Sequence, residues 1–286
     1  MDIKDIKNLP LILPSNECSN DDYHNGFLKG FVGSTTLGMM DRLTPIQVLL
    51  DTFTENEATK VGSAFHLLME SEEEFGNKVL FAGKDGRSKE YKEAMSGEKD
   101  KIVLTEKWSP IIHGMRNSIL QHPDVLSLIK HHSSRFEVTA AINDVLKLKC
   151  RPDVVRQGII DETKDIIIDY KTTKSVAPDR FATSVKDYSY HIQAAHYIYV
   201  WERATKRKVE DFIFIAVEKE RPHLCNVFRL DEDTLEEGRV AHKKAMYKYK
   251  NCAETDIWGG YEQVVHTLRL KRWDFKHTKP KQHGIT

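Results

Sequence analysis

A chain of 286 residues is long enough for one large α/β domain with an ample core, or at most two domains. Charged residues make up 30% of it, and no run approaches the roughly eighteen apolar residues of a membrane span, so we expect a soluble protein without membrane partners. Its 43 basic and 43 acidic residues cancel, so nucleic-acid binding would need local positive charge.

The four cysteines, at positions 18, 150, 225 and 252, are far apart and form no C-x-x-C pair. This spacing argues against a zinc site and offers no disulfide framework. The N-terminus also lacks a basic region followed by an apolar one. We therefore predict a protein of the reducing cytoplasm.

The first part of the chain contains little strand signal. Pro10 and Pro14 interrupt an irregular start, and Thr44-Pro45 followed by residues 46–53 predicts a short helix. We predict a helical N-terminal extension over residues 1–55, followed by a core domain over 56–252.

A segment rich in helix formers follows, and it contains Gly62 and His66 four residues apart. This spacing places the two on one helix face. A single histidine beside apolar neighbours is often only a half-buried structural residue, so His66 by itself does not define a site. Residues 83–100 are polar and contain three glycines, which predicts a mobile loop, and helices are expected over 105–122 and on to about 131.

The next segment has the pattern of a β-hairpin. Residues 135–142 favour a strand, Asn143-Asp144 is a turn signal, and residues 145–155 alternate apolar and charged side chains. The second strand carries Asp153. Glu137 is expected on the first strand, where an ordinary exposed glutamate would also fit.

A second strand-like run, Asp165 to Ile168, ends in Asp169-Tyr170-Lys171. Because strand side chains alternate, Asp169 and Lys171 should project to the same side. Two carboxylates from adjacent strands, Asp153 and Asp169, could hold Mg²⁺, and Lys171 could act on a water or phosphate beside it. The alternative is an ordinary surface Asp–Lys pair of little energetic value.

The rest of the chain alternates between helices and strands. We predict a helix over 190–204, strands over 211–217 and 224–230, and a helix over 232–251 capped by Asp231 or Asp233. Residues 253–286 form a tail with a basic end. The fold class is therefore α/β in the broad sense (mixed α+β), with a central mixed β-sheet of about five strands flanked by helices.

In combination, these motifs resemble the PD-(D/E)xK nuclease superfamily, in particular its RecE-type branch (exonuclease VIII), which is related to lambda exonuclease. The resemblance covers about residues 55–230. It rests on an ordered set of motifs: Gly62-x-x-x-His66, the Glu-Glu-Phe at 73–75, Pro152-Asp153, Asp169-x-Lys171 and Gln193-x-x-x-Tyr197. The superfamily often has Glu before x-Lys, and the Asp found here is allowed.

This resemblance implies a restriction-endonuclease-like core and assigns roles to the motif residues. His66 would lie near the metal or the phosphate, and Glu137 beside the metals, so that the expected ligands of Mg²⁺, or of Mn²⁺ in its place, are His66, Glu137, Asp153 and Asp169. Gln193 and Tyr197 would support the DNA phosphate or Lys171. Taken alone, the last two could be ordinary packing residues of an amphipathic helix.

Three groups of basic residues are candidates for DNA contact, although each could be only a solvated surface. They are Lys84/Arg87/Lys89/Lys92, Lys243/Lys244/Lys248/Lys250 and Lys271/Arg272/Lys276/Lys279/Lys281.

The leading functional hypothesis is a metal-dependent deoxyribonuclease. The resemblance implies a 5′→3′ exonuclease that acts on double-stranded DNA ends, leaves 3′ tails for recombination, works with a single-strand annealing protein and forms a homo-oligomeric ring. One alternative is a structure- or sequence-directed endonuclease on the same fold. The other is a catalytically inactive DNA-binding module.

Overall fold

The computed structural model describes residues 9–51, 55–158 and 163–278. Its helices are α1 (Asn20–His24), α2 (Ser34–Arg42), α3 (Pro45–Leu49), α4 (Glu57–Glu70), α5 (Glu72–Lys78), α6 (Lys89–Gly97), α7 (Trp108–Gln121), α8 (Pro123–Ile129), α9 (Pro178–Asp187), α10 (Tyr190–Thr205) and α11 (Glu232–Thr255). Its strands are β1 (Leu11–Leu13), β2 (Val79–Phe81), β3 (Ile102–Leu104), β4 (Ser134–Phe136), β5 (Thr139–Asn143), β6 (Lys147–Cys150), β7 (Val154–Gln157), β8 (Lys164–Thr173), β9 (Lys208–Glu218) and β10 (Cys225–Arg229).

A five-stranded mixed sheet forms the centre of the described structure, in the order β10-β9-β8-β7-β4. Strands β8 and β9 are parallel, and the other neighbours are antiparallel. The parallel pair is joined by α9 and α10, as a crossover connection requires. The predicted mixed sheet of about five strands with flanking helices is confirmed.

Helices cover both faces of this sheet, so its middle strands are apolar on both sides. In β8, Ile167 packs into the core shared with α2, α9, α10 and α11, whereas Ile168 packs into the core shared with α4, α5, α7 and α8. The continuous apolar run from Ile166 to Ile168 follows from this double burial.

The predicted hairpin is split between two sheets. Strands β4 and β7 pair in the central sheet, whereas β5 and β6 pair with β1 in a separate three-stranded sheet. The break falls at Glu137, whose φ of 50° is left-handed and cannot continue a strand. The expectation that Glu137 lies on a strand is therefore wrong, and it lies instead at the bend between β4 and β5.

Two basic side chains, one on β6 and one directly after it, hold the N-terminal segment against the core. Lys149 is buried and donates to the backbone oxygens of Tyr23 and Leu28. Arg151 donates to the backbone oxygen of Cys18 at 2.9 Å, and its guanidinium lies 4.5 Å from the centroid of the Tyr23 ring. The division into an extension, a core and a tail stays a prediction, and residues 1–8 and 52–54 lie outside the described residues.

Several predicted boundaries change, and several elements are not predicted by the sequence analysis, among them β1, β2, β3 and α6. Strand β1 lies in the region expected to lack strands. The polar segment 83–100, expected to be a loop, contains helix α6, whose cap Ser88 accepts a hydrogen bond from the Tyr91 amide at 3.3 Å. The predicted cap of α11 is confirmed, because the Asp231 side chain accepts from the Thr234 amide at 2.8 Å.

A buried ion pair fixes the start of β8. Asp165 is fully buried, and it accepts hydrogen bonds from Trp201 Nε1 at 2.8 Å and from Arg207 Nη2 at 2.7 Å. Removing one partner of such a pair leaves an uncompensated charge and typically costs about 3–5 kcal/mol. The Arg207 side chain keeps 27% exposure, so we expect Asp165→Ala to lower the free energy of unfolding by about 3 kcal/mol.

Urea denaturation measures this effect, with Asp211→Ala as the matched control. Asp211 pairs with Arg229, whose side chain is 68% exposed, so its loss should cost about 1 kcal/mol or less. Equal losses in the two variants would contradict the role given to Asp165.

Candidate active site

The site lies beside the start of β7, where β8 continues without a partner on that side. The last pairing of β7 with β8 is Val154 with Ile168, so the following β8 residues face an open edge. Asp153, immediately before β7, fills this gap: its Oδ2 accepts a hydrogen bond from the Tyr170 amide at 2.6 Å. A backbone donor that the sheet leaves unpaired thus positions the first carboxylate.

Helix α4 brings His66 to this carboxylate. A side chain at Gly62, one turn earlier, would meet Thr172 of β8 at 3.9 Å, so the helix runs close to the strand. His66 Nδ1 lies 3.0 Å from Asp153 Oδ1. The predicted helical face of Gly62 and His66 is confirmed, and it points toward the acidic residue.

The bend at Glu137 adds a second carboxylate. Its backbone amide donates to the Asp153 carbonyl oxygen at 3.1 Å, which holds the two residues together. Ligand atoms of His66, Glu137 and Asp153 all lie within 4.8 Å of one another. The strand-based argument for Glu137 was wrong, but the structure brings the residue to the predicted cluster.

Asp169 and Lys171 form the second half of the site. They project to the same side of β8 and form an ion pair, which confirms the expectation from strand alternation. Gln193 of α10 donates from Nε2 to Asp169 Oδ1 at 2.7 Å. Asp169 is 2% exposed and is therefore a buried residue rather than one at an exposed sheet edge.

Of two tyrosines on α10, one contacts this pair and the other packs in the core. The centroid of the Tyr190 ring lies 4.6 Å from Lys171 Nζ. The sequence analysis did not assign Tyr190 to the site. Tyr190 begins the helix that carries Gln193 and lies three residues before it, so the two side chains are neighbours on the helix surface. This spacing is the sequence feature that could have assigned Tyr190 to the site. Tyr197 lies one turn beyond Gln193 and is buried in the core against Phe212, so its proposed role at the phosphate stays a prediction.

The electrostatics show an excess of negative charge. Burial raises the pKa of Glu137 to about 8, and Asp153 raises it as well. Burial also raises the pKa of Asp169 to about 6, against the opposing effect of Lys171. Burial would lower the pKa of His66, but the Asp153 carboxylate outweighs it and raises the value to about 9. Burial would likewise raise the pKa of Asp153, but the His66 cation holds it below its usual value.

This donor set fits a divalent cation. Two carboxylates and one imidazole converge on a common point, and hard cations such as Mg²⁺ prefer oxygen ligands. Without a metal, three buried or half-buried carboxylates face only Lys171 and the protonated His66. His66 would have to lose its proton to become a ligand, and the bound cation would then supply positive charge against the burial and the Asp153 repulsion that raise the pKa of Glu137.

The chain also matches a known protein family. Residues 39–270 match the family model described as a PDDEXK-like domain of unknown function, DUF3799. The chain belongs to this family. The fold and the family together place it in the PD-(D/E)xK nuclease superfamily and support a nuclease; proteins of this kind generally use divalent metals.

One solved structure shares the fold of this DUF3799 member. A provisionally assigned exonuclease from Eubacterium rectale has a TM-score of 0.58 at 13% identity, covering 91% of this chain and 98% of its own. A second structure, SSO0001, has 16% identity and a TM-score of only 0.27, covering 74% of this chain and 86% of its own, which does not establish a common fold. No curated protein sequence matches the chain. None of the described helices is long and apolar enough to cross a membrane.

Several lysines of the three groups predicted to contact DNA instead bind other parts of the protein. Lys248 donates to the backbone oxygens of Met40 and Leu43 at 2.8 and 3.2 Å, and so ties α11 to the end of α2. Lys250 pairs with Glu254. In the first group Lys89 pairs with an acid on its own helix, and Lys279 and Lys281 of the third group lie outside the described residues.

Proposed function

We propose that this protein is a metal-dependent exodeoxyribonuclease that hydrolyses phosphodiester bonds from double-stranded DNA ends. Its direction would be 5′→3′, and its products would be 3′ single-stranded tails for recombination. The observation that supports the proposal is the convergence of His66, Glu137 and Asp153 beside the Asp169–Lys171 pair on a PD-(D/E)xK fold. Direction and end preference rest on the resemblance to the RecE-type branch.

The residues divide into a metal-holding group and a phosphate-facing group. His66, Glu137 and Asp153 would hold Mg²⁺ or Mn²⁺, with Asp169 as the expected further ligand. When bound, such a cation lowers the pKa of water and offsets negative charge on the scissile phosphate. Lys171 would orient the attacking water or stabilise that charge. Gln193 fixes one oxygen of Asp169 and leaves the other to hold Lys171.

Two other functions use the same fold. An endonuclease would share this chemistry but would not need a DNA end. A binding module that has lost the chemistry would keep the fold, yet all the acidic, basic and amide positions here are filled by competent residues that lie together. That convergence favours an enzyme.

A cleavage assay separates the three functions. Linear duplex labelled at either 5′ or 3′ ends and covalently closed circular DNA are incubated with Mg²⁺, and with EDTA as the control. Mononucleotide release from linear DNA alone, starting at the 5′ ends, is the expected result. Cleavage of the closed circle would indicate the endonuclease, and no cleavage together with retained DNA binding would indicate the inactive module.

We further propose that the protein forms a closed ring of identical subunits around DNA and works with a single-strand annealing protein. A ring needs two different contact surfaces on each subunit. The C-terminal tail offers exposed apolar side chains for one of them: Val265 and Leu268 are 99% and 93% exposed, and Trp273 is 77% exposed. Trp258 instead packs against Tyr249 in its own chain.

Light scattering at micromolar concentration should give the mass of three or four chains. Changing Val265 and Leu268 to glutamate should reduce that mass, because charged side chains oppose burial at an interface. The same changes at exposed Leu224 and Val240, outside the tail, serve as a control. A monomeric mass of the unmodified protein would rule out the ring but not the nuclease chemistry.

A further inference from the structure

A cavity of about 1080 Å³ lies at the end of the three-stranded sheet opposite the candidate active site. Its walls come from the turn between β5 and β6, the loop after α1 and the C-terminal end of α10. Four basic residues line it: Lys29, Lys147, Arg203 and Lys206. They come from three separate segments of the chain, so only the fold gathers this charge.

The positive charge of the cavity is not neutralised by its acidic residue. Asp144 is the one acid among the described lining residues, and its Oδ2 already accepts hydrogen bonds from Arg203 Nε at 3.0 Å and from the Tyr199 hydroxyl at 2.7 Å. The three lysines are exposed and form no ion pair with any described residue. The cavity therefore has three lysine charges available for an anionic ligand.

The dimensions and lining favour a phosphate backbone. A volume near 1080 Å³ corresponds to a width on the order of 10 Å. The major groove of a duplex is already about 12 Å wide, so the cavity is too narrow to admit a whole duplex. The lining rings Phe27 and Phe31 are only 9% and 7% exposed, so they offer no face on which bases could stack. Lysines without stacking platforms bind phosphates independently of sequence.

We propose that this cavity binds the phosphodiester backbone of a single nucleic-acid strand through Lys29, Lys147 and Lys206. The choice of nucleic acid as the ligand rests on the proposed nuclease function. Strand β5 separates the cavity from the acidic cluster. Its first residue, Thr139, is two positions after Glu137, and its last residue, Asn143, lines the cavity about 13 Å further on, at roughly 3.3 Å per residue. The cavity would thus hold a strand away from the point of cleavage.

The test is the salt dependence of single-strand binding. A variant with Lys29→Gln, Lys147→Gln and Lys206→Gln is compared with the unmodified protein by fluorescence anisotropy, using labelled oligothymidylate in Ca²⁺ at 50–300 mM salt. Each lost phosphate contact on a single strand reduces the slope of log K against log salt by about 0.7, so three contacts predict a reduction of about 2. At 100 mM salt the affinity should fall on the order of tenfold or more.

A second triple variant controls for the loss of net charge. Lys99→Gln, Lys130→Gln and Lys186→Gln remove the same charge at exposed lysines that lie outside the cavity and outside the three candidate DNA-contact groups, and should leave the slope nearly unchanged. Thermal melting verifies that both variants fold. Equal changes of slope in the two variants, or an unchanged slope in the cavity variant, would overturn the proposal. Binding of thymidine monophosphate as tight as that of the oligonucleotide would overturn the assignment to a strand.

The two proposals can fail separately. If the unmodified protein cleaves no DNA but the cavity variant alone loses salt-dependent binding, the nuclease proposal fails and the strand site stands. If the unmodified protein cleaves DNA and the cavity variant binds normally, the nuclease proposal stands and the strand site is wrong.

Discussion

Replacing Asp153 with asparagine should reduce DNA cleavage by on the order of a thousandfold or more, while the protein remains folded. The asparagine oxygen can still accept the hydrogen bond from the Tyr170 amide, so the edge of β8 stays capped. What is lost is the negative charge that would help hold the cation with His66 and Glu137. Losing the charge stabilisation of a metal at a phosphoryl-transfer centre costs several kcal/mol, or about a thousandfold in rate.

Three measurements on this variant make the result interpretable. Single-turnover cleavage in Mg²⁺ gives the rate, calorimetric titration with Mn²⁺ gives metal affinity, and thermal melting reports folding. Asp233→Asn, at an exposed acid on α11, is the matched control and should change none of them. A folded Asp153→Asn protein with normal turnover would remove Asp153 from the site.

The half of the site on β8 could be predicted from the sequence because its geometry is local. The run Asp165–Ile168 fixes a doubly buried strand, and strand alternation then puts Asp169 and Lys171 on one side. The spacing of Gly62 and His66 likewise follows from one helix. Such periodic segments leave few alternatives for the placement of their side chains.

The other half depends on long-range geometry that the sequence does not display. The left-handed bend at Glu137 divides an apparently continuous hairpin between two sheets, and nothing in the alternating pattern marks it. Glutamate rarely adopts a positive φ, so the residue type at position 137 did not predict a bend there. The cavity lined by Lys29, Lys147 and Lys206 is a similar case, because its residues converge only through tertiary packing.

The contacts around Lys171 leave little room for a side chain of a different size or shape. Its ammonium group is held between the Asp169 carboxylate and the Tyr190 ring, and the side chain is only 14% exposed. Replacing it with methionine keeps the length of the side chain but removes the charge. We expect cleavage to fall by about a hundred- to a thousandfold, the usual effect of removing one group that stabilises charge in a transition state.

Lys171→Arg tests whether the charge alone is sufficient. The guanidinium is planar and larger than an ammonium group, and it cannot give up its proton in a protein. Placed between Asp169 and Tyr190, it should bind the carboxylate without reaching the position of the water or phosphate. We therefore expect single-turnover cleavage to stay within about tenfold of the methionine variant, while DNA binding in Ca²⁺ stays near normal.

Lys174→Met is the matched control, because this lysine is exposed and lies only three residues further along the chain. It should retain normal cleavage, which would show that the loss at Lys171 does not arise from net charge. An arginine variant with most of the original rate would mean that Lys171 acts only as a distant point charge. The phosphate-facing role would then belong to another group, whereas the assignment of His66, Glu137 and Asp153 to the metal would be unaffected.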